Sequence, residues 1–108
     1  MDEPKLAFCV ARQEPPALEV RVNFGVFAGR QATPAEIDDL ARSLHEELES
    51  FAIVAEERHE FGGDSEASLH QVVVEMPSVE DDVAIDVVGV AERWARACYD
   101  DRHIELDL

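Results

Sequence analysis

The segment FAIVAEERHEFGGDSEASLHQVVVEMP, residues 51–77, decides the predicted fold of this chain. Apolar and polar residues alternate on both sides of its centre, which is typical of β-strands whose successive side chains point to opposite faces. The centre, Gly62 to Ser65, contains two glycines and an aspartate, residue types that tolerate the positive φ angles of tight connections. The segment therefore predicts a β-hairpin.

The apolar positions of the two arms predict how the hairpin is aligned. One face carries the odd positions of the first arm and the even positions of the second: Phe51, Ile53, Ala55, Glu57, His59 and Phe61 with His70, Val72, Val74 and Met76. A slip of one residue would turn every side chain to the opposite face, so odd positions must pair with even ones. A loop centred on Asp64 and Ser65 satisfies this rule. It predicts the pairs Ile53–Met76, Ala55–Val74, Glu57–Val72 and His59–His70.

Two segments outside the hairpin have helical periodicity. The first begins with Thr33, Pro34 and Glu36, which predict a capping box with proline in the first turn and a helix that ends near Ser50. The second covers residues 79–99, where an apolar stripe follows the helical repeat. Its members are Val83, Val87, Val90, Ala91, Trp94 and Cys98, widened by Ile85 and Val88. This width predicts that the second helix contacts more than one surface.

Alternation predicts the remaining strands. Residues 18–28 alternate and predict a strand with one buried face, and residues 103–108 alternate again and predict a last strand. Residues 1–17 are either irregular or contain an extra edge strand at residues 6–11, because Pro15 and Pro16 cannot continue a central strand.

The predicted element order is β-α-β-β-α-β, in a single α+β domain of 108 residues. We expect a ferredoxin-like two-layer sandwich, an antiparallel sheet with two helices on one face. With right-handed crossovers, the strands lie in the order last, first, third, second. If residues 6–11 instead pair beside residues 18–28, the terminal strand must lie elsewhere, for example against a partner subunit.

Acidic residues dominate the charge. The chain has 9 Lys and Arg against 25 Asp and Glu, a formal net charge of −16. This argues against nucleic acid and anionic membranes as partners, since phosphate contacts need a basic patch. No apolar run is long enough for a membrane span, and the acidic start lacks the basic region of a signal peptide, so a cytoplasmic location is expected. Cys9 and Cys98 have no metal-ligand spacing; two buried free thiols are expected, with a disulfide as the alternative.

The predicted topology brings the hairpin turn, the end of the first strand and the start of the first helix to one end of the sheet. Glu57, His59 and His70 then lie close together, and two histidines with one carboxylate can form an open site for a divalent metal. Arg30 and Thr33 lie nearby, where free N–H groups at the helix start can bind a small anionic ligand. The structural alternatives are a solvated hairpin face and a helix that caps itself.

Signatures of enzymes are missing from the sequence, which has no nucleophile elbow, phosphate loop or dinucleotide fingerprint. A non-enzymatic domain that binds a small ligand or a partner protein is therefore favoured. The sheet face without helices carries an apolar patch of Val54, Leu69 and Val73, and we expect a homodimer through this face or through an edge strand. The alternatives are a metal-binding protein or small metal-dependent enzyme that uses the predicted triad, and a structural partner subunit that binds through residues 79–99.

The predicted arrangement is similar to that of small ligand-sensing domains of the ACT type, which share the β-α-β-β-α-β order. The resemblance covers residues 18–108 in outline, and Gly29 stands where the first loop of such domains often has a glycine. It implies a dimer that binds an amino acid at its edge, beside that loop.

Overall fold

The computed structural model describes residues 6–62 and 65–106. Within these residues the chain forms four strands and three helices. In chain order they are β1 (Ala7–Ala11), β2 (Leu18–Val22), α1 (Phe24–Ala28), α2 (Pro34–Leu44), β3 (Ala52–Gly62), β4 (Ser65–Met76) and α3 (Asp81–Leu106). The α+β class is confirmed.

The strands form one antiparallel sheet in the order β1-β2-β4-β3. The part β2-β4-β3 has the predicted order, but the edge beside β2 is occupied by β1, the alternative left open for residues 6–11. Residues 103–106 belong to α3, so a strand there is wrong, and residues 107–108 lie outside the described part. Residues 93–106 contain no glycine or proline, the residue types that most often end a helix, so α3 continues through this segment. The ferredoxin-like order is therefore not confirmed.

The β3–β4 hairpin has the predicted parity but a different register. The observed pairs include Ile53–Val74, Ala55–Val72, Glu57–His70, His59–Ser68 and Gly62–Ser65. Because Gly62 lies opposite Ser65, two residues are left to connect the strands, and every predicted pair shifts by two. Two-residue connections match the twist of the flanking strands best. The predicted pairing of His59 with His70 is therefore wrong.

The predicted strand over residues 18–28 is correct only in its first half. β2 ends at Val22, and Phe24–Ala28 forms the short helix α1. Phe24 and Ala28 are both buried, and a spacing of four residues places them on one face of a helix as well as of a strand. Gly29, with a φ of 72°, ends α1 in the left-handed conformation that favours glycine. Alternation alone could not show where the strand ends.

The capping box of α2 is confirmed. The Thr33 hydroxyl accepts a hydrogen bond from the Glu36 backbone N–H at 3.2 Å, and the Glu36 carboxylate accepts one from the Thr33 N–H at 2.9 Å. α2 ends at Leu44, earlier than the predicted end near Ser50. Leu48 is nevertheless buried, because the turn after α2 leads it back to the core.

The hydrophobic core lies between the helices and one face of the sheet. The sheet contributes Val20, Val22, Val72, Val74 and Met76, and α3 contributes Val87, Ala91, Trp94, Ala95 and Cys98. α3 packs on β1, β2, α1 and α2, so the prediction that this helix contacts more than one surface is confirmed, although Ile85, which widened the predicted stripe, is 70% exposed. Both thiols are free; Cys98 is buried, but Cys9 on the outermost strand is exposed, so the expected burial of both is wrong.

Candidate functional site

The β3–β4 hairpin extends beyond the rest of the sheet. The last pair between β2 and β4 is Val22 with Val72, whereas β3 and β4 continue to Gly62 and Ser65. We call this extension, residues 56–62 and 65–71, the hairpin overhang. Beyond the last pair of β2 with β4, the chain that follows β2 forms α1, and α1 packs on β4.

Gly25 allows α1 to approach the overhang closely. A Cβ atom built on this residue would lie 2.8 Å from the His70 Cβ and 3.0 Å from the His70 backbone nitrogen. Real Cβ atoms avoid such contacts, so only glycine fits without a shift of the backbone. Sequence reasoning missed this position; the signal was a glycine within an alternating pattern, which marks a close backbone approach.

A small cavity of about 70 Å³ lies at the base of the overhang. Its lining combines apolar and polar side chains: Phe24, Gln31, Ala32, Ala55, Glu56, Glu57, His70, Gln71 and Val72. Gln31 Nε2 is 3.1 Å from His70 Nδ1; in this arrangement the amide donates and the ring nitrogen accepts, which places the proton of a neutral imidazole on Nε2. The end of the sheet predicted from sequence therefore does bring Glu57 and His70 beside the loop that follows α1.

The three residues of the predicted metal site lie on this overhang. Glu57 pairs with His70 across the strands, and His59 Nε2 is 3.5 Å from Glu57 Oε1. The side chains of Glu57 and His59 are both largely exposed, at 42% and 59%. Among the residues that the structure describes, no group of three or more His, Cys, Asp or Glu side chains is arranged to hold a metal ion.

The predicted anion site at the start of α2 is filled from within the chain. Arg30 donates one hydrogen bond to each carboxylate oxygen of Glu36, both at 2.7 Å, and its guanidinium lies 5.4 Å from the centre of the Phe24 ring. Trp94 Nε1 of α3 donates to the Glu36 carbonyl oxygen at 2.7 Å. Arg30 and Thr33 therefore join the loop, α2 and α3 into one unit, and Arg30 already has a carboxylate partner.

Glu36 is ionised in this unit. The Arg30 hydrogen bond, aided by the Thr33 backbone N–H, lowers its pKa to about 2, although partial burial acts in the opposite direction. A charge-assisted bidentate pair of this kind is among the stronger polar contacts in proteins.

The helix-free face of the sheet carries a network of charged and polar side chains centred on Arg21. Its guanidinium donates to Glu19 at 3.0 Å, to Glu56 at 3.1 Å and to Gln71 at 3.0 Å. Arg12 donates to the other oxygen of Glu19 at 3.1 Å. Glu19 and Gln71 are only 4% and 6% exposed, and in the described part no buried side-chain nitrogen or oxygen lacks a hydrogen-bond partner. This face satisfies its own polar groups.

The apolar patch predicted on this face is smaller than expected. Val73 is 2% exposed and Val54 is 38% exposed, while the side chain of Leu69 lies outside the described part. Val73 pairs with Arg21 on β2 and with Val54 on β3, so its neighbours within the sheet already cover it.

β3 is the longer of the two edge strands. It spans 11 residues against 5 in β1, and it pairs with β4 along its whole length. In the described sheet no strand pairs with its other side. An edge of this kind presents a row of N–H and C=O groups to solvent. Phe61, near its end, has a 73% exposed side chain.

Comparison of the chain with protein-family models, with curated proteins and with solved structures found no match. No helix in the described residues has both the length and the apolar character needed to cross a lipid bilayer.

Proposed function

We propose that the protein is a self-associating domain in which a second copy adds to the outer edge of β3. The observation that carries this proposal is the 11-residue edge strand without a neighbour in the described sheet, next to the exposed ring of Phe61. Proteins bind through such edges because main-chain hydrogen bonds supply affinity and alternate side chains supply specificity.

The edge is a better interface than the helix-free face. On that face Arg21, Glu19 and Gln71 already bind one another, and Val73 is buried without a partner protein. Covering those charges would remove water from groups that gain no new hydrogen bonds, which costs free energy. The outer edge of β3, in contrast, exchanges backbone bonds with water for bonds with another strand.

A second copy is the simplest occupant of this edge. Two identical strands related by a two-fold axis cover both copies of the edge at once, so assembly closes at two. A chain with a net charge of −16 repels its own copies. Added salt screens this repulsion and should favour the dimer.

The experiment is a matched pair of substitutions followed by sedimentation equilibrium. Phe61→Lys places a charge beside the proposed edge, whereas Ile85→Lys makes the same change on α3, where the side chain is 70% exposed. We expect the natural chain and Ile85→Lys to form a dimer, and Phe61→Lys to dissociate into monomers at a higher concentration than either of them. A natural chain that stays monomeric at all concentrations and salt levels would overturn the proposal.

A second candidate function is the binding of a small polar ligand in the cavity beside His70. Its volume of about 70 Å³ has room for roughly five water-sized groups, which favours a molecule of the size of glycine. Glu57, His70 and Gln31 supply hydrogen-bond donors and acceptors to the cavity, and the Phe24 ring forms an apolar wall.

A thermal-shift screen of amino acids and small anions tests this second candidate. A true ligand should raise the melting temperature of the natural chain and of His45→Ala, whose ring lies away from the cavity against Phe51. The same ligand should have little effect on His70→Ala. An equal shift in all three proteins would contradict binding in this cavity.

The remaining alternatives have less support from the geometry. Residues of the apolar stripe of α3, such as Val87 and Ala91, are already buried in the core and cannot contact a partner protein, whereas Ile85 is exposed. A metal-dependent function lacks a cluster of three donor side chains in the described residues.

A further inference from the structure

We propose that the second copy pairs antiparallel to β3 with the two-fold axis at Glu57, so that residues equally distant from Glu57 lie opposite each other. This inference rests on the proposed function and adds the register of the interface. The resulting pairs are Ala52–Gly62, Ile53–Phe61, Val54–Glu60, Ala55–His59, Glu56–Arg58 and Glu57–Glu57, each of the first five formed twice.

Strand geometry limits the choice of register. Opposite residues of an antiparallel pair lie on the same face of the sheet, and successive residues alternate between faces. A symmetric pairing must therefore be centred on a residue and not between two residues. Of these registers, the one centred on Glu57 is alone in pairing all 11 residues of β3, since Glu57 is the midpoint of the strand.

The exposed aromatic ring supports the same centre. With the axis at Glu57, Phe61 lies opposite Ile53 of the other copy, and Ile53 borders the hydrophobic core. A ring that is 73% exposed in one copy then continues the core of the other. An axis at Glu56 would leave Phe61 beyond the end of the facing strand, and an axis at Arg58 would place it opposite Ala55.

Charge complementarity also favours Glu57. This axis places Glu56 opposite Arg58 in both halves of the interface, and opposite charges in facing positions stabilise strand pairs. Moving the axis by one residue would place either Glu56 opposite Glu56 or Arg58 opposite Arg58. The cost of the favoured register is one like-charge pair, Glu57 with its own copy.

The register makes opposite predictions for two neighbouring charges. Glu57→Gln removes the like-charge pair and should lower the dissociation constant about two- to fivefold, whereas Arg58→Glu creates two like-charge pairs and should raise it on the order of tenfold. In an unrelated interface both substitutions would act only through the net charge, so the two effects would keep these signs but would be small and would disappear at high salt, which screens exposed charges.

Cysteine crosslinking tests the axis directly. In a Cys9→Ser background, which removes the exposed thiol, Glu57→Cys should form a disulfide with its own copy under mild oxidation. Facing Cα atoms in antiparallel strands lie about 4.5–5.5 Å apart, within the range that a disulfide spans. Ala55→Cys and His59→Cys should crosslink when the two proteins are mixed, and much less when each is oxidised alone.

The outcomes separate the register from the proposed function. Self-crosslinking of Glu57→Cys together with the mixed Ala55–His59 crosslink supports the axis. A dimer in sedimentation in which another single-cysteine variant crosslinks to itself, and Glu57→Cys does not, overturns the register but leaves self-association standing. Absence of a dimer overturns both. Circular dichroism of each variant shows that it is folded.

Discussion

The two halves of the β3–β4 hairpin have the same alternating pattern and opposite surroundings. In the half that pairs with β2 or lies beneath the helices, Val72, Val74 and Met76 are 2%, 0% and 1% exposed. In the overhang, Phe61 lies on the same face of the hairpin and is 73% exposed. Alternation therefore predicts which face of a strand is apolar, but cover from another element decides whether that face is buried.

The largest expected difference in stability is between two truncations of a large apolar side chain, one in each half of the hairpin. Met76→Ala leaves a cavity in the packed core and should lower the free energy of unfolding by about 2–5 kcal/mol. Phe61→Ala, on the same face in the overhang, should change it by less than about 0.5 kcal/mol in the monomer. Urea unfolding at low protein concentration measures both. Equal losses would remove the contrast between the two halves.

A smaller effect is expected at the joint between the halves, where α1 meets His70. Gly25→Ala places a Cβ atom 2.8 Å from the His70 Cβ and should destabilise the fold by about 1–3 kcal/mol through overpacking.

Gly89→Ala in α3 is the matched control for this joint. The new methyl group would meet only the flexible end of Arg93, at 3.3 Å. It should stabilise the fold by about 0.5–1 kcal/mol, because glycine is costly inside a helix. If Gly25→Ala left stability unchanged or raised it, as expected for Gly89→Ala, the close approach of α1 to the overhang would be incorrect.

The smallest effect concerns the unit of Arg30, Thr33 and Glu36 beside the covered half. The pKa of Glu36 is lowered from 4.5 to about 2 in the folded chain, so its stabilisation is present above pH 4.5 and is lost as the pH falls towards 2. We expect about 1 kcal/mol, allowing for solvent screening. Urea unfolding between pH 2 and pH 6 should show a shallower decline for Glu36→Gln than for the natural chain. Parallel curves would show that the pair does not stabilise the fold.

The candidate sites were only partly predictable from the sequence. Glu57 and His70 do lie close together at the predicted end of the sheet, because the hairpin pattern and the loop before α2 are both local signals. The hydrogen-bonded pair of Arg30 and Glu36 was not predicted, since Glu36 was expected to cap its own helix and to compete with a ligand for the helix start. Gln31 was not predicted as a neighbour of His70, because that contact depends on the path of α1.

The sequence by itself determined the parity of the hairpin, the capping box of α2, the helix over residues 81–99 and the strongly acidic charge. Each of these depends on residues near one another in the chain, where side-chain periodicity and capping groups act directly.

The tertiary structure alone decided which strand lies beside β2, at which residue β2 ends and α1 begins, and which half of the hairpin is buried beneath the helices. These features depend on which of several segments, distant in the chain, packs against one sheet edge and one apolar face. β1 lies at the edge that was expected for residues 103–108, whereas residues 103–106 belong to α3.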